Sequence, residues 1–306
     1  AKGTVFQGNK SLKLVLPCMR EPDNNDNIMK EYMAYKLYEQ ISPFHFNVRR
    51  VDIDFTEIYG RKGKERKMVQ IKGFLIEDDD VVAKRFDEGK VVDRFIHPLA
   101  MDAETSVQNA FFNYLIGHTD NSVGYQHNAK LLYIGKRLIP LSYDFDMTGF
   151  VNPSYATVNE TLGIKSVRDR KYRGFKRDDA LMNEVKDQFV NAKDEIVSLV
   201  NSFKSEFDSP SEFNKMYEFM TDFFEILEDH KNSHLSEFLK LNNKETTNSI
   251  KEFQDLLTSH SIMNDTEPKS SLDVVLYRSI HKFIEDRIWK TKLERENMTP
   301  PGEAPF

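Results

Sequence analysis

Cysteine is almost missing. Cys18 is the only one in 306 residues, so no disulfide can form within the chain, and no cysteine set for zinc exists. That leaves the compartment open. Tryptophan is equally scarce, with 1 residue against 23 phenylalanines, so nothing indicates a sugar platform. No run of 18 apolar residues occurs, so no segment reads as a membrane-spanning helix. No signal-peptide pattern opens the chain. No G-x-G-x-x-G occurs either, and Gly3 and Gly8 are too sparse to form such a loop. Basic excess is absent: the formal charge is −6, which argues against a general nucleic-acid binder. The start Ala1-Lys2-Gly3 in place of methionine reads as a trimmed or processed product.

What is present is an ordinary globular composition, 39% hydrophobic and 30% charged. A chain of this length buries roughly 75% of its unfolded surface and needs no staples. Residues 11–16 alternate as a short strand, with Leu12, Leu14 and Leu16 on one face and Lys13 and Val15 on the other. A polar turn follows, and Asp26 is placed to cap a helix from about Ile28 to Ile41, which stops at Ser42-Pro43. Met29, Tyr32, Met33 and Leu37 share one face of it. Glu31 sits near that face. It reads either as a solvated acid favoured by the helix dipole or as a partner for Lys13. Residues 46–58 and 66–76 form a hairpin, and the slip in alternation at Arg49-Arg50 predicts a bulge. Glu77-Asp-Asp-Asp80 reads as a turn or helix start rather than a cation site, because nothing nearby supplies the rest of an oxygen cage.

The chemistry concentrates further on. Residues 102–117 form an amphipathic helix with Asp102 as N-cap and Gly117 as its end. It leads into the loop Gly117-His-Thr-Asp-Asn-Ser-Val-Gly-Tyr-Gln-His-Asn128. Strands 129–134 and 138–143, joined at Gly135-Lys-Arg, then deliver Asp144 and Asp146. Two acids and an amide, Asp120, Asp144 and Asn128, are thus returned toward one point. Phosphoryl transfer needs such a set: one carboxylate to orient a hydroxyl, an amide oxygen and a second carboxylate to hold a metal. Residues 165–177 carry 7 Lys or Arg in 13. They read either as a solvated loop or as an anion-recognising segment through Arg168, Arg170, Lys171 and Arg173. Three apolar helical stripes follow: Leu181 to Phe207, Phe213 to Leu227, and Leu272 to Ile288. Residues 242–248 and 259–271 read as connections, and 299–306 as a disordered tail.

On these residues the chain resembles the bacterial CotH-like kinases, and more distantly the HipA-type kinases. The stretches that carry this are Leu12-Lys-Leu-Val, Lys30 to Tyr38, Gly73-Phe-Leu-Ile-Glu77, Gly117-His-Thr-Asp120 with His127-Asn128, Pro140 to Asp146, and Ser166 to Gly174. The resemblance spans about residues 1–175. It implies an α+β, two-lobed protein-kinase-like fold. A small mixed α/β N-lobe would occupy 1–80 and a larger, mainly helical C-lobe 81–298. It implies ATP with Mg²⁺ or Mn²⁺ and a protein acceptor. Asp120 matches the catalytic aspartate, Asn128 the metal-binding amide, and Asp144 the metal-binding aspartate, with Asp146 as a second candidate. Glu31 matches the helix glutamate that pairs with the nucleotide lysine. Glu77 falls at the hinge that holds adenine. Lys13 stands in for the nucleotide lysine, because further strands normally precede this segment in the family. Relatives of this kind are often exported, which implies an extracytoplasmic location.

The sequence departs from the kinase loop in one respect. Asp120 and Asn128 are eight apart, where the usual H-R-D-x-x-x-x-N gives five. A pseudokinase or binding module that keeps the fold without phosphoryl transfer therefore stays open beside an active enzyme. A zinc site at His118 and His127 lacks further ligands. A glycosidase pair at Asp144 and Asp146 lacks a sugar platform.

Overall fold

The structure is a computed structural model, in which residues 2–4, 7, 11–17, 24–59, 65–86, 89–158, 162–175 and 177–228 are described. They all fall within residues 1–246 of the chain. The second unit, 247–306, lies outside them, and so do the third stripe, both expected connections and the tail.

Alternating apolar residues build the first sheet. Strand β1 (Lys13–Val15) and strand β2 (Val48–Tyr59) flank β3 (Glu65–Ile76), all antiparallel. The β2–β3 register runs unbroken from Val48 opposite Ile76 to Tyr59 opposite Glu65. The bulge expected at Arg49-Arg50 is therefore absent. The slip in the sequence marks a change of apolar face instead. Phe46, Val48, Phe74 and Ile76 are buried, while Val51, Ile53 and Phe55 are half-buried and fall on the other face by the period of two. β1 is shorter than expected, and its leucine face is the outer one: Leu14 and Leu16 are 49% and 44% exposed.

Helix α1 (Asn24–Ile41) packs on the inner face of this sheet. Tyr32 and Tyr35 set their rings 5.8 and 5.7 Å from Phe74. The helix starts earlier than expected, so Asp26 lies in its first turn and does not cap it. The buried Asp26 carboxylate accepts the N–H groups of Asp208 (2.7 Å) and Ser209 (3.0 Å). Those lead into helix α6 (Pro210–Glu228), whose first N–H groups have no partner within the helix. The acidic run 77–80 is a helix start: Asp78 accepts from the N–H of Asp80 and caps α2 (Asp79–Lys84).

The second sheet has the order β4 (Lys90–Val92), β5 (Ala129–Ile134), β6 (Arg137–Ser142), again antiparallel. Gly135 and Lys136, with φ of 54° and 67°, make the two-residue turn whose twist suits a hairpin. Helix α3 (Ala103–Ile116) packs on β6. The stripe from Leu181 to Phe207 is broken at Ala192 into α4 (Asp179–Asn191) and α5 (Lys193–Ser202). The described residues thus give a mixed α/β chain with six α-helices and two small antiparallel sheets.

One apolar cluster runs from Ile28 to Leu227 and includes both sheets. Polar groups lock α1 to α6 across it. Lys30, 2% exposed, donates to Glu212 Oε2 at 2.7 Å, Val151 O at 3.1 Å and Asn27 Oδ1 at 3.3 Å. All three ammonium protons are thereby used. Lys72 pairs with Asp208 at 2.6 Å, and Arg50 with Glu206 at 2.9 Å. Lys30→Met removes the buried cation from Glu212 and leaves Val151 O without its ammonium donor, and should cost about 3 kcal/mol in chemical denaturation. Lys215→Met removes a 58%-exposed partner of the same acid and should cost under about 1 kcal/mol. Equal losses would mean that burial of Lys30 carries no weight.

Candidate functional site

Helix α3 carries the site, and its buried face is partly polar. Asn109 Nδ2 donates to Tyr38 Oη (2.9 Å) and Ser142 Oγ (2.8 Å), and Asn113 Nδ2 donates to Ser142 Oγ (3.1 Å) and Asn109 Oδ1 (3.1 Å). The network fixes the end of β6, two residues before Asp144. The helix ends at Gly117, with φ of 64°. A Cβ there would lie 2.9 Å from the Phe219 ring, so glycine is needed for both conformation and space.

The basic segment turns inward. Arg170 Nε donates to Tyr114 O at 3.1 Å and Nη2 to Leu115 O at 3.3 Å, and Nη2 also bonds Phe219 O. Tyr114 O and Leu115 O are among the last carbonyls of α3, so Arg170 caps its C-terminus and ties it to α6 through Phe219 O. Its guanidinium lies 3.7 Å from the Phe219 ring centroid, and burial lowers its pKa to about 10. Arg168 donates to Lys215 O (3.0 Å) and stands 4.8 Å over the same ring. Arg177 holds Pro98 O, Leu99 O and Met101 O. The expected anion contacts at Arg168 and Arg170 are therefore internal braces. Lys171 is half-buried and lines no part of the cavity described below. Arg173 bonds the loop, donating to Thr119 O at 2.6 Å.

In that loop, Ser122 and His127 exchange backbone hydrogen bonds of 2.9 and 3.0 Å. His127 Nε2 lies 3.1 Å from Asp120 Oδ1. Asn128, with φ of 50°, donates its amide to Asp120 O (2.7 Å) and Oδ2 (3.4 Å). Its Oδ1 is the amide atom left for a cation. His118, beside this loop, is 1% exposed, has no hydrogen-bond partner at either ring nitrogen, and meets the Phe145 ring edge-on at 5.7 Å. Burial lowers its pKa to about 3.

Asp144 adopts φ of 63°, unusual for a non-glycine residue. Its N–H donates to Tyr35 Oη at 3.0 Å. Asp146 accepts from Tyr155 Oη at 3.2 Å. The backbone N–H of Phe145, between the two aspartates, favours the charged form of the Glu31 carboxyl. The Glu31 carboxyl is held well above its ordinary range by burial, then by the charges of Asp146 and Asp144. Asp144 opens to solvent on one side. Protein atoms around its carboxyl still desolvate it, and that raises its pKa, followed by Asp146 and Asp120. The charge of Asp120 is thus felt at Asp144. Glu31, Asp144 and Asp146 have no ion-pair partner within 4 Å among the described residues.

A cavity of about 360 Å³ opens between β1, α1 and this turn, lined by Lys13, Val15, Glu31, Tyr35, Asp144 and Asp146 among others. That is the small end of ligand-sized clefts, roughly 300–1,000 Å³. Lys13 does not pair with Glu31. Its ammonium lies 5.3 Å from the Tyr143 ring centroid, and its charge partly offsets the rise at Asp144. Asp120 and Asn128 stand beside the cavity rather than in its lining. Glu77 does not line it either. Its buried carboxylate accepts from Asn47 N at 2.8 Å and meets Arg85 at 3.4 Å, and its own N–H donates to Asn47 O at 3.1 Å. Through Oε2 and its N–H it braces the strand end, while the buried Oε1 has no hydrogen-bond partner. Among the described residues no three His, Cys, Asp or Glu side chains form a ready cage for a metal. Two carboxylates and an amide oxygen suit Mg²⁺, which takes its remaining ligands from water and phosphate.

Tyr35 and Lys30 are supports of the site to which pattern reading gave no role, and Arg170 supports it in a role other than the expected anion contact. The signal available was polarity on otherwise apolar helix faces, as at Asn109 and Asn113. No family model, no curated protein and no solved structure matches the chain.

Two measurements check this geometry. A carboxyl held above its ordinary range keeps a proton in the fold that the unfolded chain has released, so stability falls as pH rises past that range. In chelator-treated buffer near pH 7, Glu31→Gln should raise the melting temperature, by roughly 2–4 °C per kcal/mol relieved. The gain should vanish toward about pH 4. Arg170→Ala should lower stability by about 2 kcal/mol with little dependence on salt, because it strands buried carbonyls. A salt-dependent loss would return Arg170 to the surface.

Proposed function

We propose that the chain is an ATP-dependent phosphotransferase of the CotH-like kinase type, with a two-lobed kinase-like fold, that uses Mg²⁺ or Mn²⁺ and acts on a protein acceptor. The observation that carries this reading is the gathering of three carboxylates with no ion-pair partner among the described residues, Glu31, Asp144 and Asp146, at one cavity with Lys13, and Asp120 beside it. Like charges held together without a cation suit a site completed by one. Asp144, Asp146 and Asn128 Oδ1 are the residues that would hold the metal. When bound, it neutralises the phosphate charge that develops in transfer.

Each side chain then has its own task. Tyr35 fixes the Asp144–Asp146 turn through Asp144 N–H, and Glu31 adds a third carboxyl to the cavity beside it. Lys13 faces the cavity and attracts the phosphates. Asp120, held by Asn128 and His127, orients the acceptor hydroxyl and takes its proton. Residues 1–80 would form the smaller lobe and the helical part the larger. Location outside the cytoplasm belongs to the same reading.

A second reading is a nucleotide-binding module without transfer. The observation favouring it is that Lys13 and Glu31 do not pair, in a chain with no glycine-rich loop. Two nearly isosteric substitutions separate the readings. Asp144→Asn should weaken metal-dependent nucleotide binding, since an amide is a poorer ligand for a hard cation. Asp120→Asn should leave nucleotide affinity nearly intact while turnover falls roughly 10²–10⁴-fold. Calorimetry beside transfer from labelled ATP reads both. Small, equal effects of both substitutions on both readouts would remove the phosphotransferase reading. Binding that needs Asp144, with no transfer by the unmodified chain, selects the module.

A further inference from the structure

The turn between Asp120 and Asn128 is built as a platform. Residues 121–126, Asn-Ser-Val-Gly-Tyr-Gln, carry no charge in a chain that is 30% charged. At the tip Tyr125 is 74% exposed, and beside it Phe95 is 39% exposed. Their ring centroids are 4.8 Å apart, tilted by 49°. Such exposure of two adjacent large rings is unusual among the described residues, whose other aromatic side chains mostly lie in the core. Aromatic enrichment with charge depletion is the composition of interface centres.

The rings are held rather than loose. Gly124 O accepts from Ile96 N at 3.3 Å, and Gln126 Nε2 donates to Arg94 O at 2.6 Å. A Cβ at Gly124 would stand 3.1 Å from Ile96 O and 3.3 Å from the Phe95 ring, so the close approach depends on glycine. Arg177 fixes the segment after Phe95 through the carbonyls of Pro98, Leu99 and Met101. The Ser122–His127 pair closes the turn, and His127 touches Asp120. A rigid ring surface therefore stands two residues along the chain from the group that contacts Asp120. Preorganised aromatic area of this kind binds at low cost in side-chain entropy.

We infer that Phe95 and Tyr125 form an acceptor platform, selecting polypeptides in which an aromatic side chain lies within a few residues of the hydroxyl presented to Asp120. The link to the hydroxyl rests on the phosphotransferase reading, whereas the binding preference does not. The ring face, not the Tyr125 hydroxyl, supplies the contact.

The test uses the full chain and two labelled decapeptides, each with one serine, flanked two residues away by phenylalanine or by glycine. Fluorescence anisotropy without nucleotide reads binding, and transfer from labelled ATP is followed in parallel. The phenylalanine peptide should bind roughly tenfold more tightly, a difference of one aromatic contact. Tyr125→Ala should erase that preference and Tyr125→Phe should keep it, with nucleotide affinity unchanged in both. Equal binding of the two peptides, or a preference that survives in both Tyr125→Ala and Phe95→Ala, overturns the platform. Transfer to both peptides alike, without preference, overturns the platform and leaves the phosphotransferase reading standing. A Tyr125-dependent preference with no transfer upholds the platform and removes that reading.

Discussion

Repulsion among Glu31, Asp144 and Asp146 is the constraint on which the rest of the structure depends. Three carboxylates at one cavity oppose each other, and burial at Glu31 makes the charged form costlier still. The fold must hold them in place against that force. It does so with neutral groups: Tyr35 Oη accepts the N–H of Asp144, and Tyr155 Oη donates to Asp146. Tyr35 in turn packs at 4.6 Å against Phe145 and at 5.7 Å against Phe74. The apolar core thus sets the geometry, and the acids have no ion-pair partner among the described residues.

Helix α1 is the element through which this works. It presents Glu31 and Tyr35 to the cavity and buries Met29, Met33 and Leu37 behind them. Its own position is set from the far side, by Lys30 on Glu212 and by Asp26 on the start of α6. A change in α6 would therefore reach the cavity through one helix. The loop that holds Asp120 is fixed from a different direction, through the Arg170 cap on α3 and the Arg173 bond to Thr119 O. Two independent braces converge on one cleft, as preorganised sites require.

Much of this was legible locally. The caps Asp102 and Gly117, the hairpin around Gly135, and the delivery of Asp144 and Asp146 from β6 all depend on neighbours a few residues apart. Their patterns are written in the sequence. Long-range pairings were not. Asp26 looks like a cap for its own helix, yet its partners lie 182 and 183 residues away. Lys30 reads as a surface lysine until Glu212 is brought to it. The basic segment misled for the same reason: charge density says nothing about which way a guanidinium points, and Arg170 points at carbonyls. Glu77 was placed at the right strand end, but Asn47 and Arg85 occupy it. The expected Glu31–Lys13 pair does not form: Glu31 is buried, while Lys13 stays over Tyr143.

The central claim is that this acid cluster is completed by a cation carried on a nucleotide. Thermal unfolding of the full chain with ATP, with and without Mg²⁺ or Mn²⁺, tests it most directly. A ligand at about 100 times its Kd that binds only the folded state adds roughly 2.7 kcal/mol. The account predicts a shift of that order with ATP and metal together, and little with ATP alone. No shift under any condition, or the same shift with a chelator present, would contradict it.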